Sequence, residues 1–239
     1  MATLIPHVLP CLRDHNSKIA LSALEILELL VTRVAETTLR SYFKLLWVSI
    51  VERLGDNKLP VREKAVDVVV EISVVLDIPM ILEKLKVCMQ HKNWRTREQS
   101  LHAVWRCLER HNLFKEKKDV LLDDVSDEEG CKKLAGRCSK APNSDTALPF
   151  LSQGIRSVRE RLCEQVIDLR SSVSREACQA IQMLANTLRD DFNGHAEYCL
   201  GNLLKATYVT IQVISTAADT TVRSMIESTN SGYVRVIPK

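Results

Sequence analysis

The chain has 239 residues, 46% hydrophobic but only 5% aromatic, with just 7 Gly and 7 Pro. That is enough apolar material for a core, and too little turn punctuation for a β-sandwich or an α/β enzyme. A formal net charge of +3 lacks the clustered basic excess of a nucleic-acid binder, and no apolar run is long and charge-free enough to insert in a membrane.

In chain order the first signal is repetition. Leu12-Arg13-Asp14-His15-Asn16-Ser17-Lys18 resembles Leu54-Gly55-Asp56-Asn57-Lys58-Leu59-Pro60, and Val61-Arg62-Glu63 resembles Thr96-Arg97-Glu98 after Met89-Gln90-His91-Lys92-Asn93-Trp94-Arg95. Aligning Asp14 with Asp56, and Arg62 with Arg97, gives offsets near the roughly 40-residue period of HEAT and armadillo arrays. Each unit reads as helix, polar turn, helix. Leu39, Tyr42, Phe43, Leu46, Trp47, Ile50 and Leu54 form one stripe before the turn at Asp56, and Val61, Ala65, Val68, Val69, Ile72 and Leu76 form another after it. Pro60 suits the first turn of the second helix, where its missing N–H costs nothing. The helix carrying Ile19 to Val34 is apolar over much of its circumference and must be covered on two sides, as stacked repeats do. The fold class predicted is therefore all-α, a HEAT-repeat α-solenoid.

The pattern breaks after residue 115. Glu116 to Val125 starts like a first helix and stops, and Ser126 to Thr146 is mostly polar, with Gly130, Gly136 and Pro142. This predicts repeats over 1–125, a linker over 126–146, and further repeats over 147–239. Periodicity resumes at Leu148, with Ile155, Val158, Leu162, Val166, Ile167 and Leu169 on the stripe. Helices follow over Val173 to Leu188, about Gly194 to Leu204, and about Val209 to Ile226. The tail 231–239 ends mid-pattern. Arg-Glu recurs at Arg175-Glu176.

Chemistry-bearing motifs are missing: the sequence holds no G-x-S-x-G, no phosphate-binding G-x-x-x-x-G-K-[ST], no G-x-G-x-x-G and no H-E-x-x-H. The six His are scattered, and Cys131, Cys138, His195 and Cys199 match no standard zinc spacing. No enzyme, metal or cofactor is expected. Met1-Ala2-Thr3-Leu4-Ile5-Pro6 lacks the parts of a secretory signal. Most of the eight Cys lie on apolar stripes, where a thiol packs as a small hydrophobe, so reduced thiols in the cytoplasm are expected.

The turns carry the functional signal. In such arrays the intra-repeat turns line up along one edge, which here would show Lys18, then Asn57 and Lys58, then Lys92, Trp94 and Arg95, and later Arg170, Ser172 and Lys205. Cations with an aromatic suit an acidic protein surface, since Arg and Trp are enriched in interface hot spots and charge speeds encounter. Lys58 and Lys92 read equally as solvated turn residues, and Trp94 as core or as an exposed anchor. Arg62, Arg97 and Arg175 read as structural, pairing with an acidic group of the neighbouring repeat. Trp47 and Trp105 read as core.

Two passages resemble a known family. Val51 to Arg62 with Met89 to Glu98 looks like the middle of the first TOG domain of the CLASP family of microtubule-associated proteins. Leu169 to Cys178 with Ala218 to Ile226 looks like the second, the CLASP N-terminal module. The resemblance implies a TOG-like solenoid that binds tubulin or microtubules through its turn edge and regulates their dynamics in the cytoplasm, on microtubules and the spindle. It implies Lys58, Trp94, Arg95, Ser172 and Lys205 as contacts. The chain departs from the family in looking like two incomplete arrays with a shortened linker. The other reading is a generic HEAT scaffold that binds through its helix faces without tubulin.

Overall fold

The computed structural model describes residues 4–123, 155–156 and 158–229, so the expected linker over 126–146, Leu148, Cys131 and Cys138 and the tail 231–239 lie outside the described residues. Among them the chain is helical, with no strand. The helices are α1 (Ile5–Leu12), α2 (Ser17–Val31), α3 (Glu36–Leu54), α4 (Leu59–Val75), α5 (Ile78–Cys88), α6 (Trp94–Asp123), α7 (158–165), α8 (Ser171–Leu188), α9 (Asn193–Thr207) and α10 (Gln212–Ser228). A 3-10 turn, Arg189–Phe192, joins α8 to α9. It is entered through Arg189 at φ 47°, the one non-glycine residue at positive φ among those described.

Successive helices pair, α1 with α2, α3 with α4, α5 with α6 and α9 with α10. The even helices then stack in a row: α2 on α4, α4 on α6, α6 on α8 and α8 on α10. This is the all-α HEAT-type solenoid expected from the period. No helix buries its apolar stripe alone, so stability comes from each repeat covering the next. One apolar core runs through the stack, from Ile5 and Leu12 through Leu54, Ile72 and Leu101 to Ile181 and Ala218.

The even-helix row is also stitched by polar pairs. Lys64 reaches Glu28 at 3.1 Å between α4 and α2, and Arg106 reaches Asp67 at 3.3 Å between α6 and α4. His102 Nδ1 lies 3.0 Å from Glu176 Oε2 between α6 and α8. Trp105, expected in the core, is only half-buried, because its ring N–H is drawn to Glu176 at 3.3 Å. Trp47 is core, as expected.

Two further expectations are corrected. No new helix starts at Glu116: α6 runs unbroken from Trp94 to Asp123, a stretch without Gly or Pro, so nothing in the sequence interrupts the helix. Ile167 and Leu169, read as part of an apolar stripe, are exposed, because α7 ends at 165 and they belong to the following turn.

Most described thiols are packed. Cys88, Cys107, Cys163, Cys178 and Cys199 are buried, while Cys11 is exposed. Burial pushes the Cys88 thiol up to about 11 and those of Cys107 and Cys178 up to about 12, so these three stay protonated and behave as small hydrophobes.

Candidate functional site: the turn edge

The repeat signature in the sequence has a mechanical cause. At three turns an aspartate accepts the backbone N–H two residues on: Asp14 from Asn16 at 2.7 Å, Asp56 from Lys58 at 2.9 Å and Asp168 from Arg170 at 2.8 Å. At the third turn His91 takes this place, its Nδ1 accepting from Asn93 N–H at 3.1 Å. These are Asx-type turns that reverse the chain between paired helices. Asn16 and Asn93 then cap α2 and α6 by accepting from Lys18 and Arg95 N–H at 3.0 and 3.1 Å.

Two arginines close the same turns from behind. Arg62 donates to the carbonyls of Asp56 and Asn57 at 2.9 and 3.2 Å, and Arg97 donates to those of His91 and Lys92 at 3.1 and 3.5 Å. They supply donors to carbonyls left over as one helix ends and the next begins. The expected pairing with an acid of the neighbouring repeat is seen for Arg97, which reaches Asp168 at 2.9 Å, whereas Arg62 serves its own turn. The expectation fails for Arg175: counting from Asp168, the position matching Arg62 and Arg97 is Ser174, whose hydroxyl donates to Val166 O at 2.6 Å. Arg175 is one residue out of register, half-exposed, and makes only a 3.5 Å contact with Glu176.

The turns are bound to one another as well. Arg13 donates to Ser49 Oγ at 3.1 Å. Asn93 Nδ2 donates to Gly55 O at 2.9 Å, joining the second turn to the third. This contact explains the glycine: a Cβ there would sit 2.5 Å from Thr96 Oγ1 and 2.7 Å from Asn93 Nδ2. Arg97 then reaches Asp168 at 2.9 Å, joining the third turn to the fourth across a sequence separation of 71 residues.

On this frame the sequence candidates distribute unevenly. Lys18, Asn57, Lys58, Lys92 and Lys205 are exposed at four turns, Asn57 and Lys58 sharing one, whereas Trp94, Arg95 and Ser172 are half-buried. The structure draws together Trp94, Arg95 and Arg170. The Trp94 ring packs partly against the core, and the guanidinium carbons of Arg95 and Arg170 lie 4.8 and 5.8 Å from its centroid. Trp94 is thus half-buried against the core, with two cations from adjacent turns beside its ring.

The charge of the edge is set by side chains. Helices start and end there in equal number, so their dipoles offset. Two of the three turn aspartates are paired with cations, Asp56 with Arg53 at 2.7 Å and Asp168 with Arg97 at 2.9 Å, while Asp14 accepts the Asn16 N–H. Among the described residues Lys18, Lys58 and Lys92 have no side-chain acidic partner, and the edge presents their cations outward.

Sequence reasoning missed an apolar element. Leu169 is 94% exposed and Tyr208 87%, at successive turns, with Ile211 and Val213 also exposed beside Tyr208. The signal was available: Asp168 occupies the place of Asp14 and Asp56, which puts Leu169 at the turn position of His15 and Asn57. Single exposed hydrophobes are ordinary on a surface; here they stand at two consecutive turns.

A stacked row of paired helices with their turns along one edge is the architecture of a TOG-type HEAT solenoid. The chain superposes on the MAST/Orbit N-terminal domain with a TM-score of 0.61 at 19% identity, covering 94% of this chain and 78% of that one. It superposes with a TM-score of 0.58, also at 19% identity, on crescerin, which uses a TOG domain array to regulate microtubules in the primary cilium, covering 93% of this chain and 74% of that one. At that identity the likeness is one of fold.

Within this class the chain resembles the CLASP family, and residues 138–237 match the family described as CLASP N terminal. It is 37% identical over 84 residues to CLIP-associating protein 1 of Xenopus tropicalis, and 30% identical over 105 residues to the CLIP-associated protein of Arabidopsis thaliana. These alignments cover 35% and 44% of this chain but only 6% and 7% of the relatives, so the chain corresponds to a small part of either protein. Among the described residues no helix is long and apolar enough to cross a membrane.

Proposed function

We propose that this chain binds tubulin or microtubules through its turn edge and so regulates microtubule dynamics, as a binding module without catalysis. The observation that carries the proposal is the Trp94–Arg95–Arg170 cluster on an edge whose turns are bonded to one another. Such an edge is preorganised, so little ordering entropy is lost when a partner docks. Its free cations, Lys18, Lys58 and Lys92 with Lys205 at the far end, suit an acidic surface, and Asn57 and Ser172 add hydrogen-bonding groups. Leu169 and Tyr208 add apolar area to be desolvated.

The names of the relatives support the partner. A further solved structure of the same fold, at 15% identity, concerns tubulin recruitment and assembly by microtubule polymerases with TOG domain arrays. On this reading the chain acts on cytoplasmic microtubules, including those of the spindle. The two partial arrays, 1–125 and 147–239 with 126–146 between them, contribute to one edge.

Co-sedimentation with microtubules and co-elution with free tubulin, at low and moderate salt, test this. A variant carrying Lys58→Glu, Trp94→Ala and Arg95→Glu is expected to bind at least about tenfold more weakly, since losing one hot-spot residue costs 2 kcal/mol or more at a typical interface, roughly thirtyfold. Rising salt should weaken the wild type. Equal binding by variant and wild type would move the site to the helix faces, as in a generic HEAT scaffold, and binding by neither would remove the tubulin reading.

A further inference from the structure

Two of the buried thiols face each other. Cys163 of α7 and Cys199 of α9 are 0% and 2% exposed, and their Sγ atoms lie 2.7 Å apart. The other buried described thiols meet hydroxyls instead: Cys88 lies by Ser100, Cys107 by Ser73 and Cys178 by Thr221. The backbones flanking the pair are held in place. Asn202 Nδ2 donates to Cys163 O at 3.0 Å, and the Arg159 guanidinium carbon lies 4.5 Å from the Tyr198 ring centroid. Closing the sulfurs from 2.7 Å to a covalent bond of about 2.05 Å shortens their separation by well under 1 Å.

We propose that Cys163 and Cys199 are a reversible disulfide-forming modification site, oxidised by hydrogen peroxide. The step balances as follows. One thiol attacks a peroxide oxygen as its proton passes to the departing hydroxide, the O–O bond breaks with loss of the first water, and the sulfur becomes a sulfenic acid. The second thiol attacks that sulfur, the S–S bond forms, and its proton passes to the departing hydroxyl, which leaves as the second water. Two thiols and one peroxide give one disulfide and two waters. Peroxide is small enough to enter where a bulky disulfide such as oxidised glutathione is excluded by the packing. Burial makes the reaction slow and the product long-lived, because a reducing thiol meets the same barrier. The bond would staple two successive odd helices whose C-terminal turns carry Leu169 and Tyr208, fixing the spacing of these two turns.

The test uses the purified full chain under native conditions. It is treated with hydrogen peroxide, alkylated, digested with trypsin and analysed by mass spectrometry. Cleavage after Arg161, Arg170, Arg189 and Lys205 places the two cysteines on peptides 162–170 and 190–205. The expected result is that these two peptides run as one linked species that dithiothreitol separates, and that the oxidised chain melts several degrees higher. Cys163→Ala should lose both effects, and Cys199→Ala serves if that variant fails to fold. Recovery of both peptides singly alkylated while exposed Cys11 is oxidised would overturn the proposal. So would linkage of either cysteine to a third one, or linkage that forms only in denaturant.

Discussion

Replacing Arg97 by methionine is expected to destabilise the solenoid by about 2–4 kcal/mol, the range for breaking a largely buried, hydrogen-bonded ion pair. Arg97 serves two neighbours at once. It fills the carbonyls of His91 and Lys92, and it pairs with Asp168 at 2.9 Å, with the two side chains 19% and 13% exposed. Methionine keeps the packing stem and abandons three acceptors, one of them a charge. Asp168 also accepts Arg170 N–H, so the loss should spread to the turn bearing Leu169. Arg62→Met is the control, because Arg62 caps its own turn in the same way and has no cross-turn acid among the described residues; about 1 kcal/mol is expected there. Denaturant unfolding of Arg97→Met, Asp168→Asn and the double variant measures the coupling. Independent, additive losses would show that the third and fourth turns are not held together by this pair.

The second large effect lies at the joint between α6 and α8. Burial works against a charged Glu176, yet the hydrogen bond and attraction of His102, the Trp105 N–H and nearby Arg175 together hold its carboxyl below the ordinary range. A carboxylate with a depressed folded pKa contributes stability that is present above its unfolded value and is lost as pH falls through the folded value. Two histidines act in the same direction at milder acidity. His111 is held below its usual value by burial, with Arg110 adding and a bond to Ser73 opposing, and His195 by burial with Arg159 and Arg156 adding. Both must stay neutral to fold, so their contribution fades as pH drops below about 6.5, the ordinary value for histidine. Each such group changes stability by at most about 1.4 kcal/mol per pH unit. The melting temperature is therefore expected to fall between pH 7 and 5, and again below pH 4.5 as Glu176 protonates. Glu176→Leu should cost about 2–3 kcal/mol at pH 7, since it strands the Trp105 N–H and His102, and it should flatten the most acidic limb. A melting temperature that stays level between pH 7 and 5 would contradict the histidine assignment, and no further fall as acid is added below that range would contradict the Glu176 one.

Much of the fold was legible in the sequence because its signals are local. Asp14 and Asp56, and Arg62 and Arg97, recur for reasons contained within one turn, namely capping an N–H and filling carbonyls, so spacing alone exposes them. The third capping residue is His91, a different side chain doing the same work, and residue identity hides it. Arg175-Glu176 misled in the opposite way: the same letters recur one position out of register, and the role passes to Ser174. Leu169 was hidden because a leucine following Val166 and Ile167 continues an apolar stripe on paper, whereas the helix has already ended. The gathering of Arg95 and Arg170 on Trp94 could not be read at all, since it depends on how two turns distant in the chain stack.

The measurement that tests the turn edge most directly is hydrogen exchange of the chain alone and with tubulin. Protection is expected in the turn segments 55–59, 91–95 and 167–171, strongest around Trp94 and Arg170, with the stacked faces of α2, α4 and α6 unchanged. Protection confined to those helix faces, with the turns exchanging as in the free chain, would contradict the account.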